Sequence, residues 1–151
     1  MTKINRYFVL TAGAVLGITG IAKTISLFGT QMMLIQSDPL IGISFRHLLL
    51  LAGVVELAIA CLCLFTNKLK LNILLIAWIS TSFVVYRVGL WAMNWRRPCH
   101  CLGNLTDALH IPPETADTAM KIILAYLLIG SYATLFWLWR QRKKVVAPPA
   151  S

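Results

Sequence analysis

Charge is scarce in this chain of 151 residues: 13% are Asp, Glu, Lys or Arg, against roughly 25% in a soluble globular protein. Acidic residues are scarcest, with 5 Asp and Glu beside 14 Lys and Arg for a net charge of +9. Hydrophobic residues make up 58% and the mean hydropathy is +0.75. A protein of this size has too small a core to hide that much apolar surface. The excess must face lipid or a partner, which excludes an ordinary soluble domain. A basic balance can also mark a nucleic-acid binder, but here Lys and Arg gather at the ends of apolar runs and form no stripe with interleaved aromatics. No nucleic-acid partner is expected. Internal repeats and low-complexity segments are missing as well, which leaves one small domain over residues 1–144. The first apolar run is too long for a signal peptide and lacks a small-x-small cleavage site, so it reads as a retained span.

What the chain has is four hydrophobic runs. A bilayer core of about 30 Å takes about 20 mostly apolar residues in a helix. Residues 7–29, 45–65, 71–93 and 119–139 meet that length and predict an all-α bundle of four transmembrane helices in contact with the lipid bilayer. With the amino terminus inside, Lys3, Arg6, Lys68, Lys70, Arg140, Arg142, Lys143 and Lys144 fall on the cytoplasmic side. Arg46, Arg96, Arg97 and Lys121 fall opposite, and the excess of cytoplasmic Lys and Arg sets the orientation. Both termini are then cytoplasmic, and the loops at 30–44 and 94–118 face outward. Thr66 to Lys70 reads as a tight turn that makes spans two and three antiparallel neighbours. Residues 145–151 read as a disordered tail.

Met93 to Thr118 is the one connection long enough to hold a site. It opens Asn94-Trp-Arg-Arg-Pro-Cys-His-Cys-Leu-Gly103, and Asn104 to His110 reads as a short capped helix. Pro112 and Pro113 break the chain again, and Glu114 and Asp117 suit the first turn of the fourth helix. Cys99 and Cys101 face a compartment where disulfides persist. Two residues apart in an extended chain, their Cα atoms lie near the upper limit of about 6.8 Å for a bridge. Pro98 and Gly103 supply the bend that closes the ring. A strained bridge is more easily reduced, and so a better oxidant, than a relaxed one. Arg96 and Arg97 favour the thiolate, and His100 offers a proton acceptor.

Two other readings of the pair stay open. A static staple is one, although a bridge across so short a loop removes little unfolded-state entropy. Metal ligation with His110 or His47 is the other, although Cys99, His100 and Cys101 cannot easily share one tetrahedral ion and no second Cys pair completes a zinc set. No metal is assigned. Cys61 and Cys63 repeat the spacing inside a helix, where residues two apart point away from each other, and read as packing residues.

Lys23, Glu56 and Arg87 lie inside spans, where ionisable groups are costly and face a bundle interior or a polar cavity. Glu56 shares a helix face with Gly53 and Ala60, and Lys23 flanks Gly13, Gly17 and Gly20, small-residue faces that permit close contact. Arg87 shares a stripe with Ser80 and Asn94. Two readings stand side by side: an internal ion pair that fixes register, and a polar pocket able to hold a quinone head or pass protons. Trp91, Trp95, Trp137 and Trp139 read as interfacial anchors.

Four spans, a Gly-rich first helix ending in Lys23, Glu56 in the second, and Pro98-Cys-His-Cys-Leu-Gly103 before the fourth resemble the MauE/DoxX-type redox-associated membrane proteins over residues 7–140. Members often carry Gly between the cysteines and Phe before the Gly, where this chain has His100 and Leu102. The resemblance implies a DoxX-like bundle in the bacterial inner membrane, with the Cys-x-Cys loop between helices three and four on the periplasmic side. It implies thiol–disulfide chemistry: MauE supports maturation of the disulfide-rich small subunit of methylamine dehydrogenase, and DoxX relatives are associated with quinone-coupled sulfur oxidation. A looser likeness, in span number and cysteine placement, is to the vitamin K epoxide reductase and DsbB membrane oxidoreductases. The expected function is thiol–disulfide exchange by Cys99 and Cys101, tuned by Arg96, Arg97 and His100, with a periplasmic thiol protein or redox enzyme subunit as partner. A non-catalytic subunit that docks a redox partner, or a quinone-linked subunit, is the alternative. Oligomeric state is not legible.

Overall fold

The structure, a computed structural model, describes residues 3–27, 38, 40–94 and 112–146. Every regular element among them is a helix: α1 Lys3–Ser26, α2 Phe45–Phe65, α3 Leu69–Ala92 and α4 Pro113–Val146. Each contains a stretch long and apolar enough to cross a membrane.

The helix ends follow local chemistry. Ser44 precedes α2 in an extended conformation, and its carbonyl accepts the amides of His47 and Leu48. At the other end of α2, Thr66 leaves the helix in an extended conformation, and the Asn72 side-chain amide donates to its carbonyl at 2.9 Å. Asn94, with φ of 56°, closes α3 in the left-handed region, which Asn tolerates better than most residues. Pro113 opens α4 rather than breaking the chain, because a first-turn residue needs no amide donor. The Pro112 carbonyl takes the amides of Thr115 and Ala116.

α4 therefore starts six residues before the expected span and runs on through Val145 and Val146, two residues of the stretch read as tail. Its 34 residues make about 51 Å of helix, so its polar ends extend past the bilayer core. α1 stops at Ser26, short of the expected Gly29, and Leu27 forms a turn.

Helix pairing follows small residues more than loop length. α1 lies closest to α2, although the connection between them is long. A Cβ on Gly13 would come within 2.9 Å of Cys63 Cβ, and one on Gly20 within 3.2 Å of the Gly53 carbonyl oxygen. Only hydrogen fits at these crossings, so the two backbones can approach. α3 pairs chiefly with α4, helped by the Thr81–Tyr132 hydroxyl contact at 2.9 Å. α2 and α3 touch across their tight turn but have no such glycine face. Val9, Leu16, Ile59, Ile73, Ile76 and Leu127 fill the shared core.

One end of the bundle gathers segment 40–44, the end of α3 and the start of α4, since Leu40 packs on Gly89 and Arg87 meets Asp117. Toward the other end the start of α1 meets the middle of α4, since Phe8 packs on Gly130 and its ring lies 5.7 Å from that of Tyr126.

Candidate functional site

The glycine faces that bring α1 against α2 also carry the deepest charges. A Cβ on Gly53 would lie 3.4 Å from Lys23 Cβ, so Lys23 crosses α2 one turn from Glu56. Its ammonium donates to Glu56 Oε1. Both side chains are almost fully enclosed, at 4% and 2% exposure. The Lys23 Nζ also lies 4.6 Å from the centroid of the Phe83 ring on α3, a cation–π contact. Two helices thus supply an ion pair and a third covers its cation.

Arg87 is placed elsewhere. One turn beyond Phe83, it donates to Asp117 Oδ1 on α4, and Lys121 holds Asp117 Oδ2 at 2.8 Å. The three residues expected to share one polar interior therefore divide into two groups. The early start of α4 explains the division, because it puts Asp117 and Lys121 one turn apart on a helix at the level of Arg87. The Arg87 side chain is 28% exposed, so this second group opens toward the loop end of the bundle.

Asp38 completes that end. Its Oδ1 accepts the backbone amides of Leu40 at 2.8 Å and Ile41 at 3.0 Å, a turn stabilised by its own side chain. Its Oδ2 accepts from the Tyr86 hydroxyl. The residue is 1% exposed, and Leu40 seats its methyls about 3.1 Å from the Cβ position of Gly89. Sequence reasoning missed Asp38, Tyr86 and the role of Asp117. The Asp38-Pro39 turn signal and the Asp117–Lys121 spacing were the available cues.

The Lys23 ammonium and the Arg87 guanidinium, the donors a quinone carbonyl would use, are each engaged by a carboxylate, which does not fit a quinone head. His47 is hydrogen-bonded through Nδ1 to Ser44 Oγ at 2.6 Å and lines an open groove with Leu27, Arg46 and Leu50. Cys63 is buried against Gly13, while Cys61 on the far face of the helix is exposed, and both are free thiols. Trp91 and Trp139 are exposed, as interfacial anchors would be. Arg96, Arg97, Cys99, His100, Cys101 and His110 lie outside the described residues. Their loop leaves α3 at Asn94 and returns at Pro112, and the Arg87–Asp117 pair ties the two helices just below those points.

Neither curated proteins nor solved structures give a match to the chain. Residues 1–140 match the family described as methylamine utilisation protein MauE, and the chain, a multi-pass helical membrane protein, belongs to that family.

Proposed function

We propose that this protein is a thiol–disulfide component of the bacterial cytoplasmic membrane, with Cys99 and Cys101 as its redox pair on the outer face and both termini in the cytoplasm. The observation that carries the reading is Arg96-Arg97-Pro98-Cys99-His100-Cys101, a cysteine pair beside two cations in the loop between the third and fourth helices. A thiolate of a reduced exported protein attacks one sulfur of the loop disulfide and forms a mixed disulfide. The client's second thiolate then displaces the loop sulfur. Two electrons pass to the loop pair, which takes up two protons as it becomes a dithiol, and the client gains its disulfide. Arg96 and Arg97 favour the departing thiolate, and His100 is placed to exchange its proton. The family's description supports a client in methylamine utilisation.

Thiol counting on the purified protein across a series of redox buffers tests this. The loop pair should interconvert between dithiol and disulfide at a potential above roughly −300 mV, where structural bridges of secreted proteins lie lower. Cys99→Ser and Cys101→Ser should each abolish oxidation of a reduced dithiol peptide while the protein remains in the membrane. Cys61→Ser with Cys63→Ser should leave that activity nearly intact. A potential below that line, or full activity in the Cys99→Ser, Cys101→Ser double variant, overturns the reading and leaves a non-catalytic subunit that docks a redox partner.

A further inference from the structure

Ion pairing uses only one of the two carboxylate oxygens of Glu56. Lys23 donates to Oε1, while Oε2 is fully buried and makes no hydrogen bond among the described residues. Glu56 sits eleven residues from the start of α2, about 16 Å along the helix. A carboxylate oxygen that keeps its charge at this depth without a donor is costly. Thr19, one turn before Lys23, is also buried; its hydroxyl donates to the Leu16 carbonyl at 3.2 Å and is a second donor beside the Glu56 carboxyl, although it makes no hydrogen bond to Oε2.

The ammonium is better provided for than the carboxylate. Its contact with the Phe83 ring at 4.6 Å persists whether or not Glu56 is charged. The charged groups next nearest along the bundle are engaged with one another: Arg87 of α3 binds Asp117 of α4, which also holds Lys121. Lys23 is thus the charged group that faces Glu56 among the described residues.

We infer that Glu56 Oε2 is a proton-binding site within the membrane interior. A proton from water forms the O–H bond and converts the carboxylate to the acid, while Lys23 keeps its charge between Oε1 and Phe83. No electron moves and no further reactant is required. The charge of the site alternates between zero and +1, whereas a purely structural ion pair stays at zero. The inference uses α1, α2 and Phe83 alone, so it does not depend on the chemistry of Cys99 and Cys101.

Glu56 and Glu114 are the only two glutamates in the chain, and Glu114 is exposed in the first turn of α4. Glu114→Gln protein labelled with 13C at the glutamate carboxyl therefore reports Glu56 alone. In the wild-type chain, a water-soluble relaxation agent broadens the exposed Glu114 signal and spares the buried one, so the measurement does not hinge on the variant. Full-length protein in phosphatidylcholine vesicles is titrated by solid-state carbon NMR. The Glu56 resonance should move from the carboxylate to the carboxylic-acid position as the pH falls. Lys23→Met should move the midpoint to higher pH, by roughly tenfold or more in proton affinity, since an adjacent cation favours the ionised carboxyl. A resonance fixed at either position across the range in which the protein stays folded overturns the inference, as does an unchanged midpoint in Lys23→Met.

Discussion

Replacing Glu56 with Leu should be one of the most damaging single changes outside the loop, and the damage should be reversible by a second change. The substitution removes the acceptor of an ammonium whose side chain is 4% exposed. Breaking one side of a buried pair costs about 3–5 kcal/mol, because the remaining charge stays desolvated. The Phe83 ring keeps its hold on Lys23 and offsets part of this, about 0.5–2 kcal/mol. A net loss of about 1–4.5 kcal/mol follows, a large share of a total stability of about 5–15 kcal/mol. Adding Lys23→Met removes the stranded charge and puts a flexible apolar side chain against Phe83. The double variant should return to within about 1 kcal/mol of the wild type or exceed it, as apolar replacements of buried pairs often do. Unfolding by sodium dodecyl sulfate in a mild detergent, followed by the fluorescence of the five tryptophans, measures all three proteins. Glu56→Leu within about 0.5 kcal/mol of the wild type, or a double variant no more stable than Glu56→Leu, would refute the reasoning.

The glycine faces make a paired prediction for the same unfolding assay. At Gly17 a Cβ meets Ala60 Cβ at an ordinary 3.7 Å, so Gly17→Ala should be neutral or stabilising by up to about 1 kcal/mol. At Gly53 a Cβ would lie 3.2 Å from Thr24 Oγ1 and 3.3 Å from the Gly20 carbonyl, so Gly53→Leu should cost about 1–3 kcal/mol. Tyr86→Phe leaves Asp38 Oδ2 without its donor and should cost about 1–3 kcal/mol, with faster amide hydrogen exchange at Leu40 and Ile41. For topology, a reporter active only outside the cytoplasm should be silent after Ser151 and active within residues 94–118, and reversed signals would overturn the proposed orientation.

The spans were legible because an apolar run of the right length is its own evidence. The contact between α1 and α2 was legible too, since Gly13, Gly17 and Gly20 recur at helical spacing and match Gly53 and Ala60 on the partner. Loop length indicated the contact of α2 with α3, which the structure has, but not the more extensive pairings. The tight turn after Thr66 makes α2 and α3 neighbours, while backbone approach selects the closer pairing of α1 with α2.

The fourth helix shows why part of the site stayed hidden. Two consecutive prolines read as a break, yet Pro113 occupies the first helical position, where its missing amide costs nothing. Moving the start back from residue 119 to Pro113 changes the electrostatics of the whole loop end. Asp117, expected in the first turn of the helix, lies one turn before Lys121 and within reach of Arg87, a pairing the sequence reading did not draw. Arg87 consequently has a carboxylate at its own level and no need of Glu56 deeper in the bundle. Lys23 is left as the partner of Glu56, and its single ammonium engages only one of the two oxygens. A helix boundary thus decides which charges pair, and with it which carboxylate oxygen remains free to take a proton.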